Sequence, residues 1–123
     1  MLKALLIVGT GSFVGGAFRY ALSVFMKHLC GQGFPWGTLA VNLVGSLVFG
    51  MVFALFGKHS ATAHPVCLLL TTGLCGGFTT FSTFAFEGQQ LLHNGNILGF
   101  IAYATTSVLA GLLLVCLGMG IAK

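Results

Sequence analysis

Four long apolar runs leave this chain few ways to fold. They cover residues 2–26, 37–56, 65–92 and 97–122 of a 123-residue sequence. About 20 helical residues cross a bilayer's hydrocarbon core, and each run reaches that length. Of all residues 57% are hydrophobic, against five Lys or Arg and a single acid. Mean hydropathy is +1.05. A soluble domain of this size has too little interior to hide so much apolar surface. The sequence therefore predicts one all-α integral membrane domain with four transmembrane helices.

The connections are short: Lys27–Trp36, Gly57–His64 and His93–Asn96. Short connections make neighbouring helices antiparallel, so both ends of the chain fall on one side of the membrane. That side carries Lys3, Lys58 and Lys123. The other carries Lys27, joined by Arg19 if its long side chain snorkels that way. Orientation follows the Lys/Arg count, and this bias is weak. A chain so poorly oriented is expected to insert both ways, and two copies can then pair as an antiparallel homodimer. Four helices are also few for enclosing a pathway. A net charge of +4 scattered in this way forms no nucleic-acid patch and reads as anchorage among lipid headgroups.

The third run organises the rest. Within Gly73-Leu-Cys-Gly-Gly-Phe-Thr-Thr-Phe-Ser-Thr-Phe-Ala-Phe86, paired glycines (Gly76, Gly77) precede four hydroxyls (Thr79, Thr80, Ser82, Thr83) interleaved with Phe78, Phe81 and Phe84. Glycine weakens a helix, and interrupted backbone inside a membrane persists only against protein or a water-filled cavity. The stretch predicts a broken third helix with carbonyls free to form an ion site.

Other polar residues have two readings each. Arg19 lies inside the first run, as a functional charge or a snorkelling one. Asn42 is the one strongly polar residue inside the second run, as a hydrogen bond between helices or as part of a pore. Gly11 and Gly15 form a small-residue face for helix packing; the loose Gly9–Gly15 likeness to a nucleotide fingerprint has the wrong spacing. The first run is also too long for a signal-peptide core. Cys30, Cys67, Cys75 and Cys116 form no C-x-x-C pair and read as small apolar side chains. The four histidines match no ligand spacing.

Three motifs in order then resemble a known family: Gly-Gly-Ala-Phe-Arg-Tyr at 15–20, Gly-Thr-Leu-Ala-Val-Asn-Leu-Val-Gly at 37–45, and Gly-Leu-Cys-Gly-Gly-Phe-Thr-Thr-Phe-Ser-Thr-Phe at 73–84. Together they resemble the Fluc fluoride channels, also called CrcB, over the whole chain. The resemblance implies a fluoride-selective passive channel that exports cytoplasmic fluoride through the bacterial inner membrane. It implies a dual-topology antiparallel homodimer with two pores and a structural central Na+ held by the backbone carbonyls of Gly76 and Thr79. It assigns Phe81, Phe84 and Asn42 to the pore, Arg19 to the vestibule, and Tyr103 and Ser107 to a polar track on the fourth helix. Gly111 stands where some members continue that track with a hydroxyl.

The chemistry agrees with that assignment. Fluoride holds its water tightly, and a pore must replace it with donors or with the positive rims of phenyl rings. Phe81 and Phe84 are one helical turn apart, and Ser82, Thr83, Ser107 and the Asn42 amide add donors. Two alternatives differ in kind. A proton-coupled multidrug exporter needs a carboxylate in its first helix, where this chain has none. A non-transporting assembly subunit predicts that Phe81→Ile alters association and leaves flux alone. No nucleophile–base pair that would mark an enzyme stands out.

Overall fold

The computed structural model describes residues 1–31, 33–60 (backbone alone over 57–60) and 64–122. Among these residues the fold is helical throughout, with no strand. Helix α1 covers Leu2–Cys30 and α2 covers Trp36–Ser60. The third span, Pro65–His93, is composite: α3 (Pro65–Leu68), a π-helical segment (Leu69–Cys75), α4 (Gly76–Phe78) and α5 (Ser82–His93). Helix α6 covers Ile97–Ala122. Among the described residues four helical spans are long and apolar enough to cross a membrane.

Several boundaries differ from the sequence expectation. Helix α1 continues past Met26 to Cys30, because nothing in Lys27–Cys30 breaks it. It stops at Gly31, whose φ of 80° glycine adopts freely. Trp36 and Gly57–Ser60 belong to α2 and not to the connections. The first turn of α2 opens at Pro35, whose carbonyl accepts the Leu39 N–H at 3.2 Å. The third span ends at His93 instead of Leu92. There the Asn96 N–H reaches the Leu91 carbonyl and the Gly95 N–H the Leu92 carbonyl, at 2.8 and 3.1 Å. This is a Schellman closure, with Gly95 in the left-handed conformation. Asn96 then caps α6 by accepting the Gly99 N–H at 2.9 Å. Residues 61–63 of the second connection, and Lys123, lie outside the described residues.

Glycines decide which spans touch. Gly11 and Gly15 are the buried residues of α1. A Cβ on Gly11 would lie 2.7 Å from the Leu69 carbonyl oxygen and 2.8 Å from the Gly73 Cα, and one on Gly15 would run into the Leu74 carbonyl. Gly77 answers from the third span, where a Cβ would meet the Ser12 carbonyl oxygen at 2.6 Å. Backbone thus lies against backbone, as small-residue faces permit where lipid offers no hydrophobic drive. The most extensive interface joins α2 and α6. It is closed in the same way by Gly50 against Val115 and Gly118 against Leu47.

The buried cluster is small: Leu39, Leu91 and Tyr103, with Phe34, Phe84 and Phe100 packed around it. The outer faces carry exposed Leu, Ile and Phe, as a lipid-facing surface should. Overpacking a close contact costs about 1–3 kcal/mol or more. Gly15→Val should therefore push α1 off the third span and give aggregated material on size exclusion. Gly16→Ala, where the nearest neighbour would be the Arg19 side chain at 4.0 Å, should elute like the parent. Equal behaviour of the two variants would remove glycine packing as the cause.

Candidate functional site

The helix of the third span stops at Phe78 because Thr79 turns extended, at φ −86° and ψ 160°. It resumes at Ser82. Hydroxyls close both ends of the gap. The Thr79 N–H and hydroxyl both donate to the Cys75 carbonyl, at 2.9 and 2.8 Å. Thr80 Oγ1 accepts the Thr83 N–H at 3.3 Å, a bond of the kind that caps a helix start.

An interruption orphans backbone groups, and in lipid the protein itself must pair them. Side chains from the first two spans do so. Asn42 on α2 clasps Thr80: its Nδ2 donates to the Thr80 carbonyl at 3.1 Å, and its Oδ1 accepts the Thr80 N–H at 2.9 Å. Arg19 on α1 donates through Nε to the Gly77 carbonyl at 3.2 Å. Ser12 on α1 adds a further tie to the third span, donating to the Gly73 carbonyl at 3.3 Å, which also accepts the Gly76 N–H. In a continuous helix the Thr80 N–H would pair with the Gly76 carbonyl, and the Thr83 N–H with the Thr79 carbonyl. Both donors are taken by side chains instead, which releases those two carbonyls.

The interruption borders two cavities. One, of about 610 Å³, is lined by Asn42, Gly76, Thr79, Phe81, Phe84 and Ser107. The other, of about 410 Å³, is lined by Arg19, Lys27, Thr83, Glu87 and Phe34. An aromatic file runs between them. Ring centroids lie 5.9 Å apart for Phe81–Phe84, 5.0 Å for Phe84–Tyr103 and 5.5 Å for Tyr103–Phe34, the last pair edge-on at 84°. Tyr103 is fully buried within this file. Six of the residues singled out in the sequence therefore share the first cavity. Arg19 and Thr83 share the second, and Tyr103 stands in the wall between. Ser82 lines neither cavity; its Oγ lies 3.4 Å from Thr80 Oγ1 on the exposed side.

The polar atoms differ in how they are used. Ser107 Oγ is buried without a partner on the wall of the first cavity. A buried hydroxyl left so costs about 1–3 kcal/mol until something enters to meet it. The Tyr103 hydroxyl is engaged, donating to Glu87 Oε1 at 3.3 Å. Tyr103 and Ser107 are thus not two free donors in a row. At Gly111 the neighbouring hydroxyl comes from α2: a Cβ there would lie 3.6 Å from Ser46 Oγ, and Ser46 donates to the Asn42 carbonyl at 2.7 Å. Arg19 and Lys27 outnumber Glu87 at the second cavity, which favours anions there.

Sequence reasoning read Ser46 only as a small residue beside Gly45 that lets helices approach, and gave Thr80 no capping role and Glu87 no partner. For Thr80 a signal existed, since a threonine just ahead of a resumed helix is a capping pattern. For Glu87 the partner, Tyr103, lies on another span, and spacing carries no sign of it.

These features define a four-span membrane protein whose third span is interrupted between two polar cavities and tied to its neighbours by side chains. Comparison with known proteins makes this specific. The profile of the CrcB-like protein family, Camphor Resistance (CrcB), matches residues 6–119. The chain is 42% identical to the fluoride-specific ion channel FluC of Chlorobium phaeobacteroides, over 98% of this chain and 93% of that one. It is 40% identical to the protein of that name from Leptospira interrogans, over 89% and 87%, and 39% identical to the one from Chloroflexus aurantiacus, over 97% and 94%. The chain belongs to the CrcB family and is a multi-pass bacterial membrane protein.

Replacing Asn42 by Leu tests the clasp. It keeps the branching and the number of heavy atoms and orphans both Thr80 groups, at about 1–3 kcal/mol each. The expected result is a lower melting temperature together with faster hydrogen exchange at Thr80. Unchanged exchange would show that Thr80 is held by something else.

Proposed function

We propose that this chain is a passive fluoride channel that lets cytoplasmic fluoride leave down its gradient, working as an antiparallel, dual-topology homodimer with two pores and a central structural Na+. The observation that carries the reading is the unpartnered Ser107 hydroxyl. It is buried on the wall that Phe81, Phe84 and Asn42 also line. A donor without an acceptor beside phenyl rims, away from water, suits a small anion that must be stripped of its hydration.

In this reading fluoride enters past Arg19 and Thr83 at the mouth. Arg19 raises the local anion concentration by its field. The ion then passes along Phe84 and Phe81 toward Ser107, with the second amide hydrogen of Asn42 as a further donor. Tyr103 shapes the wall, and its hydroxyl is shared with Glu87. Ser82 contributes from its exposed side if the partner subunit closes over it. The helix interruption is the functional break around which the pores assemble. The curated relatives' shared name supports fluoride as the transported ion.

A hard monovalent cation takes oxygen ligands. The Gly76 and Thr79 carbonyls fit that need, because the N–H groups that would occupy them donate elsewhere. Na+ there would tie the subunits together and offset the carbonyl dipoles, with no part in moving the anion. Phe81 is 78% exposed in one chain, which supports a partner covering it.

The test is fluoride efflux from proteoliposomes followed by electrode, with chloride in parallel. Fast fluoride loss without chloride loss is expected, falling to the protein-free rate in Phe81→Ile. Asn42→Asp places a carboxylate beside the path. At about 4 Å and an effective dielectric near 20 this raises the barrier by about 4 kcal/mol, close to a thousandfold in rate. Efflux that survives Phe81→Ile would move the protein to the assembly-subunit reading. Purification without sodium should lower the melting temperature of the dimer; a sodium-independent melt would remove Na+ from the scheme.

A further inference from the structure

A third cavity, of about 380 Å³, lies between the start of α1 and the start of the third span. Lys3 stands at its head, and Leu6, Ile7, Pro65, Val66 and Leu69 line it. Thr10 closes it, with its hydroxyl turned into its own helix toward the Leu6 carbonyl at 2.8 Å. From Lys3 to Thr10 the helix descends about 10 Å. The cavity is thus a cationic head above an apolar trough, and its lining shares no residue with the two polar cavities.

We propose that this cavity holds an anionic phospholipid, with its phosphate on the Lys3 ammonium and one acyl chain along the trough. Position argues for lipid. Both helix starts are ends of membrane spans, which puts Lys3 at headgroup depth and the trough in hydrocarbon. Charge argues for an anionic headgroup. The chain has one acid, Glu87, and it lines the cavity at the opposite ends of the spans. The near end carries Lys3 at the head of the trough. Basic pockets between transmembrane helices select anionic headgroups.

The full-length protein, reconstituted in mixed phosphatidylglycerol and phosphatidylcholine and released into mild detergent, is weighed intact by native mass spectrometry. Retention should favour phosphatidylglycerol by about fivefold, the weight of one lysine beside an anionic headgroup. Lys3→Gln should abolish the preference and leave phosphatidylcholine retention and the size-exclusion profile unchanged. Val66→Trp, which fills the trough, should reduce retention of both lipids. Equal retention by the parent, or a preference that survives Lys3→Gln, overturns the proposal. Displacement by excess inorganic phosphate would show a phosphate site without a lipid and also overturns it. So does a disulfide between two Val66→Cys copies, which would place a second chain over the groove.

Discussion

One side-chain amide holds the interruption of the third span in place. Asn42 gives Thr80 both a donor and an acceptor, as a neighbouring peptide group would. Few other side chains can do this: a carboxylate lacks the donor, and a hydroxyl lacks the reach to serve both groups. In a low-dielectric setting each bond is stronger, and its loss is costlier. The clasp also needs closeness. Gly45, one turn after Asn42, supplies it: a Cβ there would run into the Thr79 methyl and lie 3.3 Å from the Phe78 ring. The second motif of the sequence is thus one device, with an amide to hold the gap and a glycine to let it approach.

The register of α1 follows from the same need. Gly11, Gly15 and Arg19 fall four residues apart on one helix face. The two glycines bring α1 into backbone contact with the third span, and that contact sets Arg19 beside Gly77. The Gly77 carbonyl belongs to the end of α4, where a helix is electronegative. A guanidinium there is paired while it still lines the second cavity. A charge inside a span is expensive unless so engaged. One residue therefore closes a backbone orphan and adds positive charge to the second cavity. The sequence leaves Arg19 between a snorkelling and a functional charge; in the fold its side chain is held by a carbonyl of the third span.

What was legible in the sequence was what repeats along one chain. Apolar run length located the spans, and the Gly11/Gly15 spacing marked the face that packs. Helix ends were less legible. Nothing distinguishes Lys27–Cys30 from a helix until Gly31 takes a positive φ, and Trp36 reads equally as interface or first turn. The π-helical stretch over Leu69–Cys75 was invisible. There the Thr71 hydroxyl takes the Cys67 carbonyl at 2.7 Å, a local competition that can bend a helix, inside a run that reads as ordinary apolar helix. Partners across spans were hidden too. The Tyr103–Glu87 bond joins residues sixteen apart on different helices, and no periodicity announces it. Asn42 had been open between holding helices together and lining a pore. It does the first for Thr80 and lines the cavity as well.

The single chain is chemically incomplete in one consistent place. The released Gly76 and Thr79 carbonyls, the unpartnered Ser107 hydroxyl and the largely exposed Phe81 all belong to the same cavity. Lipid can cover a phenyl ring, but it can satisfy neither a carbonyl nor a hydroxyl. Two carbonyls are also too few to replace the water of a hard cation. A second copy related by a two-fold axis presents the same groups to the first. In the proposed dimer this doubles the oxygens around a shared cation and covers Phe81 from the other side. The weak Lys/Arg bias matters here, because an axis in the membrane plane requires copies inserted in opposite senses. In that proposed dimer, sparse charge would permit the pairing that completes the groups left open at the interruption.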